Sequence, residues 1–237
     1  MRLVLGSRAF DVATRSLVVG AVERAGRDVA TVADEAQRMA AEGADAVELI
    51  TGPNDDEADV VGTIAALRRA CRSGIAAGIA VAPARPDLAR AAYAAGAVMG
   101  AVTGGGAVHD TRAFLDASAA AGVTVVLAHD ASAGDLTRLR AGLVARARLA
   151  EAAGIPAERI VVEPASAATA LLGCLRRVAE LGYPVLLSAD GYPRGRPAHL
   201  AAVALGVIGG CRLVRTRDPK GARRVCDVLA AILEARP

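Results

Sequence analysis

One plan recurs along this chain: a helical stretch ends on glycine, and an apolar strand begins within three residues. The runs A-A-E-G-A-D-A-V-E-L, A-Y-A-A-G-A-V-M-G-A-V, A-A-A-G-V-T-V-V-L and A-E-L-G-Y-P-V-L-L all follow it. Glycine closes each helix because the residue just past a helix end takes a left-handed backbone that a side chain disfavours. Strands that all run the same way need crossover connections, and helices supply them. The pattern therefore predicts a parallel sheet covered by helices, an α/β fold.

The apolar runs place strands at Ser16–Val22, Ala44–Ile50, Ile75–Ala82, Val98–Thr103, Val123–His129, Arg159–Glu163, Pro184–Ser188 and Cys211–Thr216. Helical spacing fills the intervals, over Asp28–Gly43, Glu57–Cys71, Pro86–Ala95, Thr111–Ala121, Gly134–Ala153, Ala170–Leu181, His199–Val207 and Lys220–Ala235. Eight strands, each followed by a helix, close most economically in 237 residues into a single (β/α)8 TIM barrel spanning 1–237. Residues 1–15 read as a short hairpin or lid ahead of it. An open doubly wound sheet is the alternative, but Gly104–Gly106 lacks the G-x-G-x-x-G spacing that would support it. In either fold the polar groups at the carboxyl ends of the strands mark the place for a ligand.

Composition narrows the function. The apolar fraction is 54%, much of it alanine and valine, and no run approaches the ~20 apolar residues of a membrane span. Charged Arg8 and Asp11 interrupt the first apolar run, so the sequence carries no secretory signal and reads as cytoplasmic. A net charge of +3 spread along helices, with 2% aromatic residues, argues against nucleic acid as a partner. Cys71, Cys174, Cys211 and Cys226 show no C-x-x-C spacing and read as buried free thiols. His109 and His199 read as surface residues.

The runs G-I-P-A-E-R-I-V-V-E-P, L-L-G-C-L-R-R-V-A-E-L-G-Y-P-V-L-L-S and C-R-L-V-R-T-R-D resemble dihydropteroate synthase, the pterin-binding barrel of folate synthesis. The runs E-G-A-D-A-V-E-L, A-V-A-P-A-R-P-D-L-A-R-A-A-Y-A-A-G-A and V-V-L-A-H resemble it as well, so the likeness covers almost the whole chain in order. The resemblance implies a set of site positions, and this sequence departs from many of them. The family's asparagine at the end of the first strand falls on Ala21, and the aspartate ending the third on Ala82. The Asn-Asp pair ending the fourth falls on Ala101 and Val102, and the family lysine after the seventh lands near Tyr192. The pterin-binding aspartate of the sixth strand is Glu163, one methylene longer. His129 and Arg215 match the family's histidine and arginine, Asp218 matches, and Arg217 stands in place of a histidine.

A pterin presents a fixed row of donors and acceptors, which a carboxylate can match and an alanine cannot. In a site built on hydrogen bonds, unmatched groups cost factors of ~10⁴ or more. The expectation is a dihydropteroate synthase-like protein that has lost synthase activity, a pseudoenzyme tied to folate and pterin metabolism. It would act as a homodimer, or as a heterodimer with a catalytic homologue. The alternative is a divergent enzyme on the same barrel: either a working synthase joining pterin pyrophosphate to p-aminobenzoate, with Mg²⁺, or a transferase acting on another anionic heterocycle. Ligand-binding candidates are Glu163, Arg215, Arg217, His129, Asp190 and Tyr192. The two arginines make a phosphate- or pyrophosphate-bearing small molecule the expected ligand, aided by the N-terminus of the helix that begins near Pro219.

Overall fold

The computed structural model describes residues 1–24, 26–52, 55–70, 76–81, 85–102, 108–130, 135–165, 169–190 and 197–234. Ala82, Tyr192, Cys71 and the Gly104–Gly106 triplet lie outside these residues.

Among the described residues, eight strands run parallel. They are β3 (Leu17–Glu23), β4 (Ala46–Ile50), β5 (Ala76–Val81), β6 (Met99–Val102), β7 (Thr124–His129), β8 (Ile160–Pro164), β9 (Val185–Ser188) and β10 (Cys211–Thr216). Their pairing order is β10-β3-β4-β5-β6-β7-β8-β9, and β10 also pairs with β9, so the sheet curls round on itself. The β8–β9 seam is the sparsest, with Val162 opposite Val185 and the Val162 N–H donating to the Pro184 carbonyl at 3.0 Å.

Helices wrap the outside: α1 (Val29–Ala41), α2 (Glu57–Ala70), α3 (Pro86–Ala94), α4 (Val108–Ala121), α5 (Leu136–Ala152), α6 (Thr169–Leu172), α7 (Leu175–Ala179), α8 (Pro197–Ile208) and α9 (Pro219–Glu234). In α1 the local rules are all visible. Asp28 caps it by accepting from the Thr31 N–H at 2.9 Å, Val32, Ala36 and Met39 face inward, and Gly43 beyond its end has φ 100°. The helix expected over Ala170–Leu181 instead breaks into α6 and α7. Gly173 sits at the break, where its backbone freedom weakens a helix interior, and the Cys174 N–H turns back to the Leu171 carbonyl at 2.9 Å.

Side chains alternate across the ring wall. Leu17, Val19, Ala46, Met99, Ala101, Val126, Val161, Leu186 and Leu213 form an inner cluster, whereas Val22, Val47, Leu49, Val102, Val125, Leu127, Val162 and Leu187 pack outward with the helices. Before the ring, β1 (Arg2–Leu5) and β2 (Arg8–Asp11) form an antiparallel hairpin. Its Leu3 and Leu5, with Val12 just after it, join the inner cluster. The Thr124 hydroxyl donates to the Val4 carbonyl and Arg159 to the Gly6 carbonyl, both near the amino-terminal ends of strands. The expected lid strands therefore plug the end of the ring opposite the candidate site.

Phe114 of α4 is fully buried and meets the Tyr93 ring edge-on at 6.5 Å. The Tyr93 hydroxyl shares a hydrogen bond of 2.9 Å with Ser118, and a side chain at Gly100 on β6 would strike that hydroxyl. Among the described residues Cys211 and Cys226 are buried free thiols and Cys174 is half-buried. Burial pushes the Cys211 thiol up to about 12 and that of Cys226 up to about 11, so neither supplies a thiolate at neutral pH.

Candidate functional site at the carboxyl ends of the strands

Alternation along the inner face carries polar residues toward the carboxyl ends. After Ala46 comes Glu48, after Val161 comes Glu163, and after Leu213 comes Arg215. All three are buried, at 0%, 3% and 5% exposure. The strand β10 has β3 and then β4 on one side, and β9 and then β8 on the other, so Arg215 is placed to reach both carboxylates. Its Nε donates to Glu48 Oε2 at 2.5 Å and its Nη2 to Glu48 Oε1 at 3.3 Å, while Nη1 donates to Glu163 Oε1 at 2.6 Å. Glu163 Oε2 is buried and has no hydrogen-bond partner among the described residues.

The electrostatics follow from one guanidinium serving two carboxyl groups. Burial raises the pKa of Glu48, against the pull of Arg215, and the like charges of Glu163 and Asp190 add to the rise. For Arg215, burial works against the charge, but Glu48 and Glu163 outweigh it and hold its pKa above the ordinary arginine range.

One step outward, Glu23 and Arg217 continue the inner faces of β3 and β10. Arg217 pairs with Glu23, its Nε lies 3.6 Å from Asp190 Oδ2, and its backbone N–H donates to Asp190 Oδ1 at 2.9 Å. Four carboxyl groups thus face two guanidinium groups, and both arginines are engaged. The start of α9 is engaged as well, because Asp218 Oδ1 accepts the Gly221 N–H at 3.0 Å. An anion at this corner would have to displace carboxylates rather than enter an open cationic cradle.

The structure brings together Glu163, Arg215, Arg217 and Asp190. It does not bring His129 into the group. His129 follows Val125 and Leu127 on the outward face of β7, and its imidazole lies against Gly142 of α5, where any Cβ would collide with the ring. Burial and the nearby Arg146 lower its pKa, which keeps this imidazole neutral near pH 7. We expect Gly142→Ala to force the ring or α5 aside and to cost about 1–3 kcal/mol in chemical denaturation.

His199 is the opposite correction. Rather than lying on the surface, it is fully buried on α8. Its Nδ1 lies 3.2 Å from the Ala189 carbonyl, an acceptor, so Nδ1 carries the proton; Nε2 then accepts from the Thr216 hydroxyl at 3.2 Å. The Thr216 oxygen in turn accepts the Asp218 N–H at 2.9 Å. This chain ties the ends of β9 and β10 to α8 and so fixes the backbone that presents Asp190 and Arg217. His109 falls inside α4.

Among the expected apolar positions, Ala21 and Ala101 lie on inward-facing registers, Ala21 beside Glu48 on the neighbouring strand. Val102 packs outward and so takes no part in the interior. Glu48 is the member that sequence reading missed. The signal was a single acid at an inward position of the otherwise apolar strand A-V-E-L-I.

No family model matches the sequence, and no curated protein matches it. Solved structures do. The structure of Mycobacterium tuberculosis Rv1207 aligns with a TM-score of 0.82 at 27% identity, over 100% of this chain and 98% of that one. Xanthomonas albilineans dihydropteroate synthase in complex with 7,8-dihydropteroate aligns with a TM-score of 0.83 at 26% identity over 100% of both chains. The Yersinia pestis dihydropteroate synthase gives 0.82 at 18% identity over 99% of each. With its curled parallel sheet, its outer helices and its sequence order matched end to end, this chain has the dihydropteroate synthase fold.

Proposed function

We propose that this chain is a single (β/α)8 barrel, related to the dihydropteroate synthases, that no longer condenses a pterin pyrophosphate with p-aminobenzoate and acts as a non-catalytic homologue. The observation that carries this reading is the closed circuit of Glu48, Arg215 and Glu163. Catalysis of pyrophosphate departure needs preorganised cationic groups aimed at developing negative charge. Here Arg215 is held by two buried carboxyl groups and Arg217 by two more at the rim. Ala21 and Ala101 put methyl groups where hydrogen-bonding side chains would have to stand.

A partner surface supports the same reading. Leu205 and Ile208 of α8 are 51% and 52% exposed, and Val228 and Ile232 of α9 are 59% and 51% exposed. The two helices pack together, so these residues supply apolar area that a second subunit would cover, either another copy or a catalytic homologue. No described helix is long and apolar enough to cross a membrane, and we place the protein in the cytoplasm.

The alternative is a divergent transferase, a working synthase or an enzyme of another anionic heterocycle, with Mg²⁺ entering only alongside such activity. It is favoured by the acid at Glu163, which faces inward with one oxygen unpaired. Incubation with pterin pyrophosphate, p-aminobenzoate and Mg²⁺ decides between them. We expect no dihydropteroate above the uncatalysed background, and measurable turnover would refute loss of activity. Light scattering at micromolar concentration is expected to give a dimer that Leu205→Glu with Ile208→Glu dissociates. A strict monomer that forms no complex with a genuine synthase removes the partner role.

A further inference from the structure

We infer that the Glu48–Arg215–Glu163 unit retains one proton at neutral pH, so that it is electrically neutral and forms an internal acid at the carboxyl end of the ring. The inference concerns the charge of the unit, not its use, and stands whether or not the synthase reaction survives.

Geometry carries the argument. Two carboxyl groups from opposite sides of β10 converge on one guanidinium, and the three residues are 0%, 3% and 5% exposed. With both acids ionised, the buried unit would carry an uncompensated negative charge. Glu48 uses both oxygens on Arg215, but Glu163 uses only Oε1. Among the described residues its buried Oε2 has no hydrogen-bond partner. A buried polar oxygen without a partner is costly, and the cost is greater when the unit it belongs to carries a net charge. A proton is the compensating charge that fits beside a buried oxygen.

Among the described residues, the other guanidinium at this end, that of Arg217, is taken up by Glu23 and Asp190. Arg215 on β10 is the positive group, Glu163 on β8 and Asp190 beyond β9 are negative, and Ala21 on β3 brings no charge. The raised pKa of Glu48 agrees in direction. Because both acids share one guanidinium, the proton belongs to the pair and not to either residue.

The linkage has a definite sign. A carboxyl group held protonated by the fold and ionised in the unfolded chain takes up a proton on folding. Its contribution to stability is present below the unfolded pKa and is lost as pH rises toward the folded one. Unfolding at neutral pH therefore releases one proton from this unit.

Two measurements on the full chain test this. Infrared spectra in D2O at pH 7 are expected to show a protonated-carboxyl band in the native protein, absent from both Glu48→Gln and Glu163→Gln. Either substitution leaves a single acid on Arg215, which then ionises. The amide I band of the same spectra reports whether each variant is folded. A wild-type spectrum without the band, or a band that survives in either folded variant, overturns the inference. Calorimetric unfolding in buffers of different ionisation enthalpy supplies the second reading and needs no variant to fold. Release of about one proton per chain near pH 7 supports a shared proton, and release near zero refutes it.

Discussion

Arg215→Ala is expected to lower the unfolding free energy by about 3–5 kcal/mol in urea denaturation at pH 7, because it strands two buried acids with no cation between them. The loss should exceed that of Glu163→Gln, which leaves the bidentate contact of Arg215 with Glu48 in place. Changing all three residues together to apolar ones of similar volume should cost far less, and can stabilise by about 1–4 kcal/mol, since a buried ion group repays its desolvation poorly. If Arg215→Ala proves as stable as the native chain, the buried circuit is not a structural element of the ring. The triple apolar replacement also separates stability from ligand binding, since it keeps the wall packed while removing every charge at its centre.

A comparable loss, about 3–5 kcal/mol, is expected for Phe114→Ala. Phe114 is one of only two phenylalanines in a chain without tryptophan, and its fully buried ring leaves a large hole in the helix–strand layer when removed. Its ring lies fully buried against Tyr93 and close to Gly100 on β6. Phe114→Leu should recover most of the loss. Equal midpoints in guanidinium chloride for the alanine variant and the native chain would mean that the α4 layer repacks freely around the hole.

The repeating helix–glycine–strand plan made the fold readable, since each unit announces its own boundaries. The Asp28 cap, the Gly43 stop and the A-V-E-L-I strand all act within a few residues of chain. The candidate site was readable only in part. Glu163, Asp190, Arg215 and Arg217 were placed at strand ends by counting, but their mutual pairing depends on which strands become neighbours. That information is spread over the whole chain: Glu48 lies 167 residues from the guanidinium it holds. The two histidines were misjudged for a related reason. His129 is one residue out of phase with the inner face, and His199 looks like an interruption in an apolar helix until Ala189 and Thr216 arrive to bond it. The break at Gly173 was hidden because leucines on either side keep helical spacing across it.

The seam between β3 and β10 bears on how the chain can be made. Leu17 pairs with Leu213 and Gly20 with Thr216, so the first strand of the ring waits for the last before both its edges are bonded. During synthesis, Leu17–Glu23 emerges early with one edge open, and the hairpin residues Leu3 and Leu5 have no finished cavity to fill until Leu186 and Leu213 have been added. Contacts this distant in sequence slow folding, and an unpaired apolar strand edge invites association with other chains. Truncation before Cys211 would therefore do more than remove a strand and a helix: it would leave two open edges and an unseated plug, a species prone to aggregate on the ribosome.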